Sequence, residues 1–232
     1  MNPALPHIVV FPGLDGTGVL SHGFAAGDWH GHPVTVLSLP KEGPQDYDTL
    51  VAILGSQLPE GPLVLVGESF SGPIAMKLAL RERGRIEALV IVGGFCASPA
   101  PSGLALLPLR PLFMLPPPAM LLRKYLVGED ASDEKVHALT EAIHGIPAAT
   151  LSERAQVILT LKEDDCPSFE TLPILLIQAH HDALLAWDVQ SRLERHFPEA
   201  EAVWIESPHL LLFMNPDACR AAVVDFLNRV PA

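Results

Sequence analysis

Six short apolar runs, most of them rich in β-branched residues, recur along this chain with helix-like stretches between them. They cover residues 7–11, 34–39, 63–66, 88–92, 174–178 and 202–206. This is the pattern of a parallel sheet whose two faces are both covered by helices. Residues 47–58 and 73–83 have helical spacing, and Gly84 is placed to end the second helix as a left-handed C′ residue. Asn215 and Pro216 read as the N-cap and first residue of a last helix, with Ala221, Val224, Phe226 and Leu227 on its apolar side. A length of 232 residues suits one α/β domain of about six mostly parallel strands better than two small domains.

One interval breaks the alternation. Residues 97–167 begin with a Pro-rich apolar stretch and continue into more polar helical parts at 133–144 and 151–161. So long an interval between two sheet strands is not expected to be plain loop. It reads as a helical cap inserted after the fourth strand, with 1–96 and 168–232 forming the core. The apolar stretch 104–122 carries Arg110 and five prolines, Pro108, Pro111, Pro116, Pro117 and Pro118. Proline removes backbone donors and breaks helices, so stable membrane insertion is not expected.

Composition narrows the classes further. The chain is 49% hydrophobic and 18% charged, which argues for a buried core and against disorder. A net charge of −12 with no Lys/Arg run repels phosphate backbones, so no nucleic-acid partner is expected. Cys96, Cys166 and Cys219 lie far apart with no CxxC pair, which gives neither a disulfide framework nor a zinc set and fits a reducing, cytoplasmic setting. No signal peptide is visible before residue 7.

The third run leads into Gly67-Glu68-Ser69-Phe70-Ser71-Gly72-Pro73. A serine between a strand and a helix sits on a sharp turn whose neighbours two residues away must be small. Gly67 and Ser71 satisfy this, although Ser71 stands where G-x-S-x-G has its second glycine. The helix that follows favours negative charge beside Ser69, and the Phe70 N–H can face a developing oxyanion. An ordinary tight βα turn is the competing interpretation.

The first strand ends in Phe11-Pro12-Gly13-Leu14-Asp15-Gly16-Thr17-Gly18. Its glycine spacing is not that of G-x-G-x-x-G, and no P-loop lysine follows, so a nucleotide cofactor is not expected. The loop fits an oxyanion hole in which the N–H of Leu14 pairs with that of Phe70, with Asp15 and Thr17 as braces; a solvated turn is the competing interpretation. Losing one such donor typically costs roughly 3–4 kcal/mol of barrier.

A serine nucleophile needs a base and an orienting acid. Of ten histidines, His209 stands between the last strand and the last helix, at the sheet edge where Ser69 lies. Asp182 follows the strand 174–178 in Ala179-His180-His181-Asp182 and reaches the same edge. Asp164 and Asp165 are rival acids, read as a polar loop. His180, His181 and Asp182 could form a metal site, but no second cluster has matching ligand spacing, and no metal is expected. No acidic residue follows the fourth strand at Gly93-Gly94-Phe95-Cys96.

The stretches PGLDGTG, VGESFSG, HHD and PHLL, in that order, resemble the α/β-hydrolase superfamily across essentially the whole chain. The first two also resemble the hydrolase-like portion of plant phytyl ester synthases and diacylglycerol acyltransferases. The resemblance implies a compact α/β-hydrolase fold lacking the first two strands of many members. It also implies a cofactor-free serine esterase or lipase-like carboxylesterase that acts on a small-molecule ester through Ser69, Asp182 and His209. An acyltransferase or thioesterase using the same triad, and a non-catalytic ligand-binding relative, are the alternatives; oligomeric state is not legible.

Overall fold

A computed structural model describes residues 5–100, 104 and 106–230; residues 1–4, 101–103, 105, 231 and 232, which fall within the expected core and cap ranges, lie outside the described residues. The elements run β1 (His7–Phe11), α1 (His22–Ala25), β2 (Val34–Val36), α2 (Tyr47–Gly55), β3 (Leu63–Glu68), α3 (Gly72–Arg81) and β4 (Ile86–Val92). They continue with α4 (Ala119–Leu122), α5 (Asp133–His144), α6 (Ala148–Thr160), β5 (Ile174–Ala179), α7 (Trp187–His196), β6 (Glu201–Ile205), α8 (Leu211–Met214) and α9 (Pro216–Leu227). The strands form one six-stranded sheet in the order β2-β1-β3-β4-β5-β6, and each neighbouring pair is parallel. All six carboxyl ends therefore share one edge.

The absence of polar alternation in the strands follows from burial on both faces. Val9, Phe11, Leu63, Leu65, Leu89, Ile91 and Leu176 pack against α2, α3 and α7. Their neighbours Ile8, Val10, Val64, Val66, Val90, Leu175 and Ile177 pack against Phe24 of α1 and against Cys219, Val223 and Phe226 of α9. Burying a Val, Leu or Ile side chain stabilises by about 1.5–3 kcal/mol, so the central strands are the most strongly held part of the molecule. The segment between β4 and β5 builds a third cluster from Leu122, Val127, Val136, Leu139 and Ala142, closed by Leu20 and Leu210 from the sheet's carboxyl edge. Among the described residues, no helix is long and apolar enough to cross a membrane.

Three local expectations are corrected. The second strand ends at Val36 rather than residue 39 because the chain then turns its bonds to the loop after β1: Leu39 N–H donates to Gly16 C=O (2.8 Å) and Ser38 Oγ to Thr17 C=O (2.7 Å). Gly84 is not left-handed: α3 stops at Arg81 with Glu82 as C-cap, and Arg85 N–H closes the turn on Glu82 C=O at 2.9 Å. Asn215 precedes α9, with Pro216 as its first residue, but its side chain makes no cap bond and instead donates to Glu206 C=O at 3.3 Å.

Candidate active site

Ser69 follows β3 directly, at φ +49°, a left-handed conformation rare for a residue with a side chain. Gly67 makes the turn possible, because a Cβ there would lie 2.5 Å from Ser71 C=O and 2.8 Å from Ala75 Cβ. Ser71 needs no glycine freedom at φ −86° and ψ 0°, and its buried hydroxyl donates to Pro12 C=O at 2.5 Å. The departure from G-x-S-x-G thus ties the nucleophile turn to the loop after β1.

His209 lies beyond β6 and Asp182 beyond β5, and both must cross β4 to reach Ser69, which lies at the end of β3. The two loops are zipped together by His180 N–H to Ile205 C=O (2.9 Å) and His181 N–H to Ser207 C=O (3.1 Å). At the end of β4, Gly93 leaves room for the crossing, since a Cβ there would meet His209 C=O at 3.3 Å and the His209 ring at 3.8 Å. The outcome is a continuous chain: Ser69 Oγ lies 2.9 Å from His209 Nε2, and His209 Nδ1 lies 2.7 Å from Asp182 Oδ2. The other Asp182 oxygen accepts from Leu184 N–H (2.9 Å) and Leu185 N–H (2.7 Å), and both side chains are essentially inaccessible to solvent. With Nδ1–H donated to Asp182, Nε2 is free to accept a proton from Ser69.

The remaining candidates divide cleanly. Leu14 lines the same cavity as Ser69 and His209, and a Cβ on Gly13 would lie 4.0 Å from Ser69 Cβ. Phe70 is the middle residue of the short turn Ser69–Ser71 that leads into α3. Among the described residues, the N–H groups of Leu14 and Phe70 have no turn or loop carbonyl as partner. Asp15 Oδ2 accepts from the Thr17 N–H (2.9 Å) and hydroxyl (2.5 Å), bracing the loop. Asp165 accepts from Lys162 N–H at 3.1 Å, away from His209. His181 and His180 face Glu206, at 2.7 and 3.7 Å, on the surface. Among the described residues, Cys96, Glu163 and His196 are the one group whose ligand atoms, within 4.8 Å of one another, could hold a metal. It shares nothing with the serine constellation.

Sequence reasoning passed over two buried charged residues. Glu68, next to Ser69, is 2% exposed and accepts from Leu212 N–H at 3.2 Å. Burial pushes its carboxyl up to about 7, against the opposing pull of the Leu212 N–H and of His209. Arg154 of α6 is completely buried, and loss of solvation lowers its guanidinium to about 10, so it remains charged at neutral pH. Its position on the inward face of α6, beside Thr150 and Leu151, was the available sequence signal.

A cavity of about 700 Å³ opens over Ser69 and His209, walled mainly by apolar side chains including Leu14, Leu112, Met114, Leu115, Leu121 and Ile158. A second cavity of about 690 Å³, lined by Arg83, Glu87, Thr171 and Pro173, sits at the amino-terminal edge of the sheet and contains none of the candidate residues.

Fold and site together define the α/β-hydrolase class. A family model described as serine aminopeptidase, S33, matches residues 40–210, and the chain belongs to that hydrolase family. No curated protein matches the chain at significant similarity. Among solved structures, a thermophilic esterase from Thermogutta terrifontis superposes with a TM-score of 0.79 at 17% identity, over 99% of this chain and 92% of that one. The enol-lactonase from Burkholderia xenovorans LB400 gives 0.76 at 18% identity, over 97% and 92%. A hydrolase from Pseudomonas aeruginosa PA01 gives 0.76 at 18% identity, over 96% and 90%. At these identities the likeness is one of fold.

Proposed function

We propose that this protein hydrolyses carboxylic esters of apolar acyl groups through a covalent acyl-enzyme on Ser69. His209 takes the Ser69 proton as Oγ attacks the carbonyl, and Asp182 stabilises the imidazolium. The Leu14 and Phe70 N–H groups receive the oxyanion of the tetrahedral intermediate. His209 then protonates the departing alcohol. Water, deprotonated in turn by His209, attacks the acyl-enzyme, releasing the acid and restoring the Ser69 hydroxyl. The mechanism needs neither metal nor cofactor. The observation that carries the reading is the unbroken Ser69–His209–Asp182 hydrogen-bond chain at the floor of the large cavity.

The acyl preference rests on the cavity wall. Residues 97–167 supply most of its outer part and serve, on this reading, as a cap inserted into a core of 1–96 and 168–232. The volume suits a small-molecule ester, and flexible Met114 together with Leu112, Leu115 and Leu121 suits an adaptable apolar chain. The family's description names an aminopeptidase, whose substrate carries an ammonium group. Among the described residues, the one carboxylate lining the cavity is that of Asp15, and it is engaged by Thr17. That favours neutral esters, and the esterase and enol-lactonase among the structural neighbours bear names that agree.

A series of nitrophenyl esters of increasing acyl length, run beside amino-acid nitroanilides, tests the proposal. The expected outcome is ester turnover that rises with chain length to a maximum, with negligible anilide cleavage. Preference for the anilides, or negligible rates on every ester, would overturn it.

A further inference from the structure

Arg154 is an expensive residue to bury for packing alone. A guanidinium withdrawn from water loses a large solvation energy, and a leucine or methionine could dock α6 on the core without that cost. Its hydrogen bonds end on neutral oxygens rather than a carboxylate: Nε donates to Gln45 Oε1 (2.9 Å), Nη2 to Pro40 C=O (2.9 Å), and Nη1 to both Leu14 C=O (2.7 Å) and Asp15 C=O (2.9 Å). The planar fork thus spans three separate stretches of chain, and one of its nitrogens serves the loop that carries the Leu14 N–H.

The turn is then fixed from both sides. Gly13 C=O, which shares a peptide plane with the Leu14 N–H, accepts from Gly16 N–H at 3.0 Å, and the next two carbonyls are taken by Arg154. In a trans peptide the N–H points opposite the C=O, so holding these carbonyls holds the direction of the N–H groups. The approach is close: a Cβ on Gly16 would come within 2.4 Å of Arg154 Nη1. The guanidinium carbon also lies 5.9 Å from the centre of the Phe70 ring, whose other partner is Tyr47 at 5.2 Å. One side chain of α6 therefore reaches both residues to which the proposed mechanism gives the oxyanion N–H groups.

We propose that Arg154 is a positioning residue that holds the Gly13–Gly16 turn and Phe70 in the arrangement that receives the oxyanion, so that α6 and the oxyanion loop form one mechanical unit. The inference rests on the triad reading above and extends it, because catalysis then depends on a residue of the 97–167 segment that never touches substrate.

The test compares wild type, Arg154→Met and Arg154→Lys by three measurements: kcat and KM on one ester, affinity for a trifluoromethyl ketone that forms a tetrahedral adduct, and amide exchange of residues 13–17. Arg154→Met is expected to lower kcat by about 10²–10³-fold, the range for loss of one oxyanion donor, with KM changed less than about threefold. Ketone affinity should fall by a similar factor, and exchange in 13–17 should quicken while the strands stay protected. Arg154→Lys, which keeps the charge and some of the bonds, should recover part of each effect and serves alone if the Met variant does not fold. Unchanged exchange in 13–17 would overturn the proposal whether or not the protein turns over ester. So would a kcat loss matched by uniform loosening of the whole molecule with no recovery by Lys. Failure of the triad reading is separately visible, as wild type that neither turns over ester nor binds the ketone.

Discussion

At the carboxyl edge of the sheet, Ser69, His209 and the side chain of Asp182 are buried and joined by hydrogen bonds of 2.9 and 2.7 Å. In the segment that roofs them, Leu106, Leu112, Met114 and Leu115 are 88, 70, 69 and 74% exposed. The rim is held by two-sided burial of the strands, by Gly67 and Gly93 at points of close approach, and by loop-to-loop backbone bonds. In the Pro-rich part of the roof, residues 110–113 bury no side chain, and Leu112, Met114 and Leu115 face both cavity and solvent. The comparison separates two tasks. On the proposed reading, reactivity would belong to a rim that few substitutions could leave intact, and substrate choice to a wall that can change with little cost to the fold.

The largest break in this contrast comes from Ser69→Ala. Ester turnover should fall by about 10⁶-fold, while thermal melting moves little, because removing one hydroxyl leaves the strands untouched. Asp182→Asn follows, with kcat reduced by about 10⁴-fold as His209 loses the acceptor that fixes its tautomer; steady-state kinetics reads this directly.

Glu68 sharpens the contrast through stability. Its folded-state value of about 7 exceeds the ordinary 4.5, so the native state binds the proton more tightly than the unfolded chain does. Stability should therefore fall as pH rises from about 4.5 to 7 and level off above, with an amplitude of about 3 kcal/mol. Glu68→Gln, which can still accept from Leu212 N–H, should flatten that slope in denaturant titrations at several pH values. The smallest effect is expected in the roof. Leu112→Ser and Leu115→Ser should each lower kcat/KM on long-chain esters by about tenfold, with short-chain esters nearly unaffected. Stability should stay within about 0.5 kcal/mol, as measured by thermal melting.

The legible parts of the site were those where chemistry demands a residue type at a strand end. Ser69, Asp182 and His209 each follow a recognisable apolar run, and Leu14 lies in a glycine loop with no nucleotide spacing. The parallel sheet was legible because its strands are apolar on both faces. Arg154 and Glu68 were not, since what matters about them is contact with residues 140 and 144 positions away. No local pattern encodes such pairings. The early end of β2 has the same origin, because Ser38 and Leu39 read as strand until their bonds to Thr17 and Gly16 are seen. Gly84 misled because a terminal glycine signals a left-handed turn only when the helix end is not closed another way, and here the backbone bond from Arg85 N–H to Glu82 C=O closes it.

The central claim is that His209, oriented by Asp182, makes the Ser69 hydroxyl reactive. Treating the protein with a fluorophosphonate and mapping the modified peptide tests it most directly. The account predicts one adduct, on Ser69, lost in Ser69→Ala and strongly slowed in His209→Ala. An adduct on another residue, no adduct in wild type, or labelling of Ser69 at an unchanged rate without His209 would contradict it.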